Sequence, residues 1–116
     1  MKVLVTGGAG YIGSHTSIEL LNSGSDIVVA DNLCNSKREV IDRIAELTGK
    51  AVPLEVCDLT DKEATDSLFH KYSFDAVIHF AALKAVGESV KLPLAYYNNN
   101  LISTLNILSA MKNSGV

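Results

Sequence analysis

Apolar positions along this chain fall into two alternating patterns. Val3-Leu4-Val5 and Ile27-Val28-Val29-Ala30 are unbroken apolar runs of strand length, whereas Ile12, Thr16 and Leu20 recur four apart, as on one face of a helix. Val40, Ile41, Ile44 and Leu47 repeat the helical spacing before Gly49, and a last stripe runs through Leu94, Tyr97, Leu101, Leu105 and Leu108. The pattern predicts strands at 2–6, 27–31, 52–57 and 75–80, and helices at 11–23, 37–48, 61–71 and 93–114. Stop signals agree: Gly24 and Gly49 suit helix ends, Asp58-Leu59-Thr60-Asp61 is a polar turn able to cap the next helix, and Pro93 suits a first turn. Alternation of this kind, without internal repeats, is the signature of an α/β fold with a parallel sheet between two helical layers.

The link between the first strand and helix carries the most chemistry. It reads Thr6-Gly7-Gly8-Ala9-Gly10-Tyr11-Ile12-Gly13. Gly7 can adopt the positive φ of a tight turn, a side chain at Gly10 would hold a phosphate away from the backbone, and Gly13 lets the helix approach the strands. The helix start adds unpaired N–H groups and a partial positive charge, which together suit a pyrophosphate. Counted from Gly8, the residues also satisfy G-x-G-x-x-G, so spacing alone leaves both registers open. The second strand ends at Asp31, where a carboxylate can accept hydrogen bonds from an adenosine ribose or simply cap a turn. An acid there repels a 2′-phosphate and favours NAD over NADP, although Lys37 and Arg38 just beyond could hold that phosphate.

If the sheet winds in the order 3-2-1-4, all four strand ends reach one rim. Gly7 to Gly13, Asp31 to Ser36, Asp58-Leu59 and Phe80 to Lys84 then surround one crevice, each meeting a different part of a dinucleotide. Asp58 is open to two readings, the adenine amino group or capping alone, and Lys84 to two, phosphate or ribose contact against plain exposure. Asn98-Asn99-Asn100 costs a helix about 0.5 kcal/mol per residue relative to alanine. A hydrogen-bonding task for one of these amides and solvent exposure near a frayed helix start both account for them.

Composition narrows the class. The chain has 116 residues, 47% of them hydrophobic, enough for one domain with a core, and a net charge of −3 gives no footprint for nucleic acid. No apolar run approaches membrane length, strand character from Lys2 leaves no room for a signal peptide, and the cytoplasm is the expected compartment. Cys34 and Cys57 are too few for a zinc site, and the three histidines show no ligand spacing, so no metal is expected.

Three segments together resemble the UDP-glucose 4-epimerase family of extended short-chain dehydrogenase/reductases. They are the glycine run, Asp31-Asn32-Leu33-Cys34-Asn35-Ser36, and Phe80-Ala81-Ala82-Leu83-Lys84-Ala85-Val86-Gly87-Glu88-Ser89; Pro93 to Asn100 adds to the match. The resemblance covers nearly the whole chain and implies a Rossmann-like domain that stops after the fourth strand and following helix, without the sugar-nucleotide domain. It implies NAD as cofactor: Tyr11 and Ile12 on the pyrophosphate, Asp31, Asn32, Leu33, Cys34, Asn35 and Ser36 around the ribose, Asp58 and Leu59 at adenine. Phe80, Ala81, Ala82, Leu83, Lys84 and Asn99 would line the path to the nicotinamide. The implied reaction interconverts UDP-galactose and UDP-glucose by transient oxidation at sugar C4, in a homodimer. No tyrosine here is followed by lysine four residues later, so the family's Y-x-x-x-K base is missing and the chain alone is expected to be inactive. Two alternatives stand beside this: a stand-alone NAD-binding module, and part of a related sugar-nucleotide dehydratase or decarboxylase. The fourth strand, left as a sheet edge, is expected to promote self-association or marginal stability.

Overall fold

The computed structural model describes residues 1–116. Nine elements follow in the order β1 (Lys2–Thr6), α1 (Tyr11–Asn22), β2 (Asp26–Asp31), α2 (Glu39–Thr48), β3 (Leu54–Val56), α3 (Lys62–Lys71), β4 (Ala76–His79), α4 (Val86–Lys91) and α5 (Pro93–Ser114). The four strands form one parallel sheet in the order β3-β2-β1-β4, as expected. Register aligns the functional ends: Thr6 pairs with Ala30 and with His79, and Asp31 pairs with Val56.

Both sheet faces are covered, which explains the unbroken apolar runs of β1 and β2. Val3, Val5, Ile27 and Val29 point to one face and pack with Leu21, Ile41 and Ile44 of α1 and α2. Leu4, Val28 and Ala30 point to the other and pack with Leu68, Phe69, Ile107 and Ala110 of α3 and α5. On the α1 side, the Lys50 ammonium donates at 2.6 Å to the Leu21 carbonyl, which also accepts from the Gly24 N–H.

Several details differ from the sequence expectation. The ladder of β3 is confined to 54–56, because Pro53 has no N–H to donate, although its carbonyl still accepts from Val29. The polar turn does cap α3, through Asp61, whose side chain accepts from the Ala64 N–H at 3.1 Å, while Asp58 closes its own turn on Thr60. The buried face of α1 is Gly13, Ser17 and Leu21 rather than Ile12, Thr16 and Leu20. Gly13 sets that rotation, because it is the residue that presses on the glycine turn, and Ile12 is left half exposed.

The largest difference is α5. Leu94, Tyr97, Leu101, Leu105 and Leu108 face solvent, with Leu94 81% and Leu105 63% exposed. Its buried face is Tyr96, Ser103, Ile107 and Ala110, where small side chains let the helix lie close to the layer beneath. Helical periodicity shows that a stripe exists, and here the stripe is on the outer side. The short helix α4, unexpected from the sequence, is tethered by the Tyr96 hydroxyl, which donates to Glu88 at 2.7 Å and accepts from the Ala85 N–H at 3.2 Å. That bond and burial raise the Tyr96 pKa above its ordinary value.

Candidate functional site

The carboxyl ends of all four strands open into one crevice with a cavity of about 370 Å³, at the position where parallel α/β sheets bind ligands. Its floor is the glycine turn. Gly7 has φ +66°, and a Cβ there would stand 2.7 Å from the Ala81 nitrogen, so the turn touches the β4 exit backbone to backbone. A Cβ on Gly13 would meet the Gly7 carbonyl at 2.3 Å. Gly8 is different: a Cβ there would strike the Val29 side chain at 2.8 Å. The structure thereby separates the two glycine registers. Gly7, Gly10 and Gly13 line the crevice, while Gly8 is a packing residue beneath it. Tyr11 and Ile12 occupy the first turn of α1 at the crevice mouth, where their N–H groups have no intrahelical acceptor.

Asp31 forms the second wall. Its carboxylate is almost fully buried and accepts from the Ala9 N–H at 3.1 Å, the Leu33 N–H at 2.8 Å and the Ser36 hydroxyl at 2.8 Å. Three of about four acceptor positions on the carboxylate are thus filled, leaving one for a ligand hydroxyl. One charged side chain therefore ties the glycine turn to the loop after β2. Asn32, Cys34, Asn35 and Ser36 line the crevice with it. Leu33 does not: it sits in the left-handed region at φ 60° and packs against the α1/α2 core.

Asp58 and Leu59 line the far end, next to Cys57 and Thr60. Burial, and then the charges of Asp58, Asp61 and Glu55, push the Cys57 thiol pKa up and keep it neutral. The near end holds Phe80, Ala81, Ala82, Leu83 and Lys84, with Asn99 reaching in from α5. Of the asparagine triplet, Asn100 has the structural task. Its amide accepts from the Leu83 N–H at 2.8 Å and donates to the Leu83 carbonyl at 3.0 Å.

Sequence reasoning missed four supporting side chains. Asn106 donates to the carbonyls of Leu59 (2.9 Å) and Thr60 (3.1 Å) and fixes the far end. His79, Thr6 and Thr104 form a hydrogen-bonded chain behind Ala81. Thr6 alone belongs to a motif, the glycine run, and these bonds join groups 25 or more residues apart in the sequence, so only the fold brings them together. Tyr72 and Lys71 do not line this crevice; both are bonded to Glu55 of β3, and the ammonium and the phenol together hold the Glu55 pKa low.

The family model described as GDP-mannose 4,6 dehydratase matches residues 4–116. The UDP-glucose 4-epimerase of Bacillus subtilis is 59% identical over all of this chain, which spans 34% of that protein's length. A UDP-glucose 4-epimerase of Klebsiella pneumoniae is 52% identical, with the chain spanning 84% of it. Among solved structures, the Bifidobacterium longum UDP-glucose 4-epimerase in complex with NAD+ and UDP superposes with a TM-score of 0.97 at 49% identity. This chain is covered completely in that match and spans 35% of that one. The Stenotrophomonas maltophila UDP-glucose-4-epimerase, with bound NAD and formylated UDP-arabinopyranose, gives 0.95 at 47% identity, again with the whole chain covered and 34% of the other spanned. The chain thus spans about a third of the length of most of these relatives, matching their amino-terminal region. On the shared crevice, the family model and these identities, the chain belongs to the UDP-glucose 4-epimerases, within the wider family that the GDP-mannose 4,6 dehydratase model describes.

Proposed function

We propose that this chain is the NAD-holding part of a UDP-glucose 4-epimerase. The observation that carries the reading is the single crevice in which a glycine turn, a helix start, a buried acid at the end of β2 and the exits of β3 and β4 converge. The cradle fits a dinucleotide because Gly7 and Gly13 let the turn, α1 and the β4 exit pack backbone to backbone, which sets the free N–H groups of the α1 start at the crevice. Tyr11 and Ile12 would hold the pyrophosphate through their N–H groups, and Gly10 lets the phosphates reach the backbone. Asp31, Asn32, Leu33, Cys34, Asn35 and Ser36 would surround the adenosine ribose, with Leu33 contributing backbone only. Asp58 and Leu59 would meet adenine, and Phe80 to Lys84 with Asn99 would line the approach to the nicotinamide. When bound, NAD would supply the hydride acceptor for oxidation at C4 of UDP-galactose or UDP-glucose and the donor for its reversal. No Y-x-x-x-K pair is present, so residues 1–116 by themselves bind the coenzyme and do not turn over the sugar.

Isothermal titration of the purified chain with NAD, NADP and AMP tests this. NAD is expected to bind, and NADP to bind more weakly because the Asp31 carboxylate opposes a 2′-phosphate. Failure of all three ligands to bind removes the proposal.

The partner is proposed to be a second copy, in the cytoplasm. No helix is long and apolar enough to cross a membrane; the outer stripe of α5 is exposed along its length, and Val86, Val90 and Leu92 just before it are exposed too. A contiguous apolar face of this kind is characteristic of an interaction surface. The outer edge of β4 is the competing contact. In sedimentation experiments at about 50 μM, a typical working concentration for micromolar association, the wild-type chain should self-associate and Leu101→Glu/Leu105→Glu should be monomeric. Self-association that survives the double substitution would assign the contact to β4.

A further inference from the structure

His79 is half buried between β1, β4 and α5, and the coenzyme reading gives it no direct contact. Its ring is bonded at both ends: Nδ1 lies 2.6 Å from the Thr6 hydroxyl and Nε2 lies 3.2 Å from the Thr104 hydroxyl. Thr104 spends its only hydroxyl proton on the Asn100 carbonyl at 2.8 Å, so its oxygen must accept from Nε2–H. In a neutral ring Nδ1 is then an acceptor, and Thr6 donates to it. The Thr6 oxygen is left to accept the Ala81 N–H at 3.3 Å. Protons therefore point one way along the whole chain, from Ala81 through Thr6, His79 and Thr104 to Asn100. Burial, and the nearby Lys84 cation, lower the His79 pKa and hold the ring in that neutral form.

The site gains a fixed wall from this arrangement. Ala81 is the residue against which Gly7 packs, and the Thr6 hydroxyl is the acceptor for its N–H. At the other end of the same chain Asn100 clasps Leu83. Resting on the coenzyme reading above, we infer that His79 is a positioning residue for the crevice. As an Nε2–H imidazole it joins Thr6, at the foot of the glycine turn, to α5, and so sets the line of Ala81 to Leu83 against Gly7. Imidazole suits the position because it offers an acceptor and a donor at opposite ends of a rigid ring. Asparagine can reproduce the Nδ1 contact, glutamine can reach toward Thr104, and leucine does neither.

The test combines a spectrum with a variant series on the purified chain. Long-range ¹H–¹⁵N correlation of the His79 ring at neutral pH is expected to report the Nε2–H neutral tautomer. In calorimetry with NAD, His79→Leu should weaken binding about tenfold or more, and His79→Asn, which keeps the Thr6 contact but not the one to Thr104, should recover only part of that loss, as expected for loss and partial recovery of hydrogen bonds in the chain that holds a buried N–H. Ile107→Val, on the buried face of α5, should lower thermal stability without changing affinity. A ring protonated at Nδ1 overturns the assignment whatever NAD does. So does wild-type affinity in His79→Leu, or a loss of affinity in Ile107→Val matched to its loss of stability. Absence of NAD binding by the wild type, with the expected tautomer present, would instead overturn the coenzyme reading and this role with it.

Discussion

Gly13→Ala is expected to unfold the glycine turn locally and to lower the melting temperature by roughly 10–20 °C, the shift that about 3 kcal/mol produces in a domain of this size. The reason is that the added methyl has nowhere to go. It would sit 2.3 Å from the Gly7 carbonyl and 2.8 Å from the Gly8 Cα, both backbone atoms, and α1 cannot withdraw without exposing Leu21 and Ser17. NAD binding is expected to be lost in the same variant, since any displacement of α1 carries the N–H groups of Tyr11 and Ile12 with it. Gly87→Ala supplies the contrast, because no atom lies within 4 Å of a Cβ at that helical position. It should change stability by no more than about 0.5 kcal/mol. Equal melting temperatures for the two variants would show that the turn is not packed as described.

Asp31→Ala is expected to weaken NAD binding about 100-fold, as removal of a charged acceptor serving several donors does. Three donors lose their partner: the Ala9 N–H, the Leu33 N–H and the Ser36 hydroxyl. Leu33 is held at φ 60°, a conformation an L-residue seldom adopts unsupported, so its loop should relax once the acceptor is gone. Asp31→Asn keeps one carboxamide oxygen and removes the charge. It should lose less NAD affinity than alanine and narrow the gap between NAD and NADP. Calorimetry with both coenzymes reads this directly, and an unchanged NAD to NADP ratio in the asparagine variant would assign the discrimination to residues other than Asp31.

The features legible in the sequence were those decided by local chemistry. Strand-length apolar runs, helical spacing and the stops at Gly24 and Gly49 were enough for the β/α alternation, and the 3-2-1-4 order followed only from the way nucleotide-binding sheets wind. The crevice segments could be named because each follows a strand, and a parallel sheet sends all those ends to one rim. Orientation was harder to read. On α5 two sets of positions are compatible with burial, and the larger side chains lie on the solvent face because Ser103 and Ala110 permit the closer approach. On α1 a glycine, which adds nothing to a hydrophobic stripe, determines the inner face. A hydrogen-bonding task within Asn98 to Asn100 was legible, though not which amide or which partner; Asn106 and the Thr6–His79–Thr104 chain were not visible, because polar side chains that bond distant groups leave no periodic trace. The β3 ladder was shortened by Pro53, a residue whose effect depends on which neighbour it faces.

Asn100 and Asn106 grip opposite ends of the crevice from a single helix, one at Leu83 and the other at Leu59 and Thr60. Six residues of α-helix rise about 9 Å. The separation of the two grips is therefore dictated by helical pitch instead of by loop conformation, and α5 acts as a ruler laid along the groove. Whatever settles on its outer leucines presses on a rod whose inner side calibrates the span of the dinucleotide cleft.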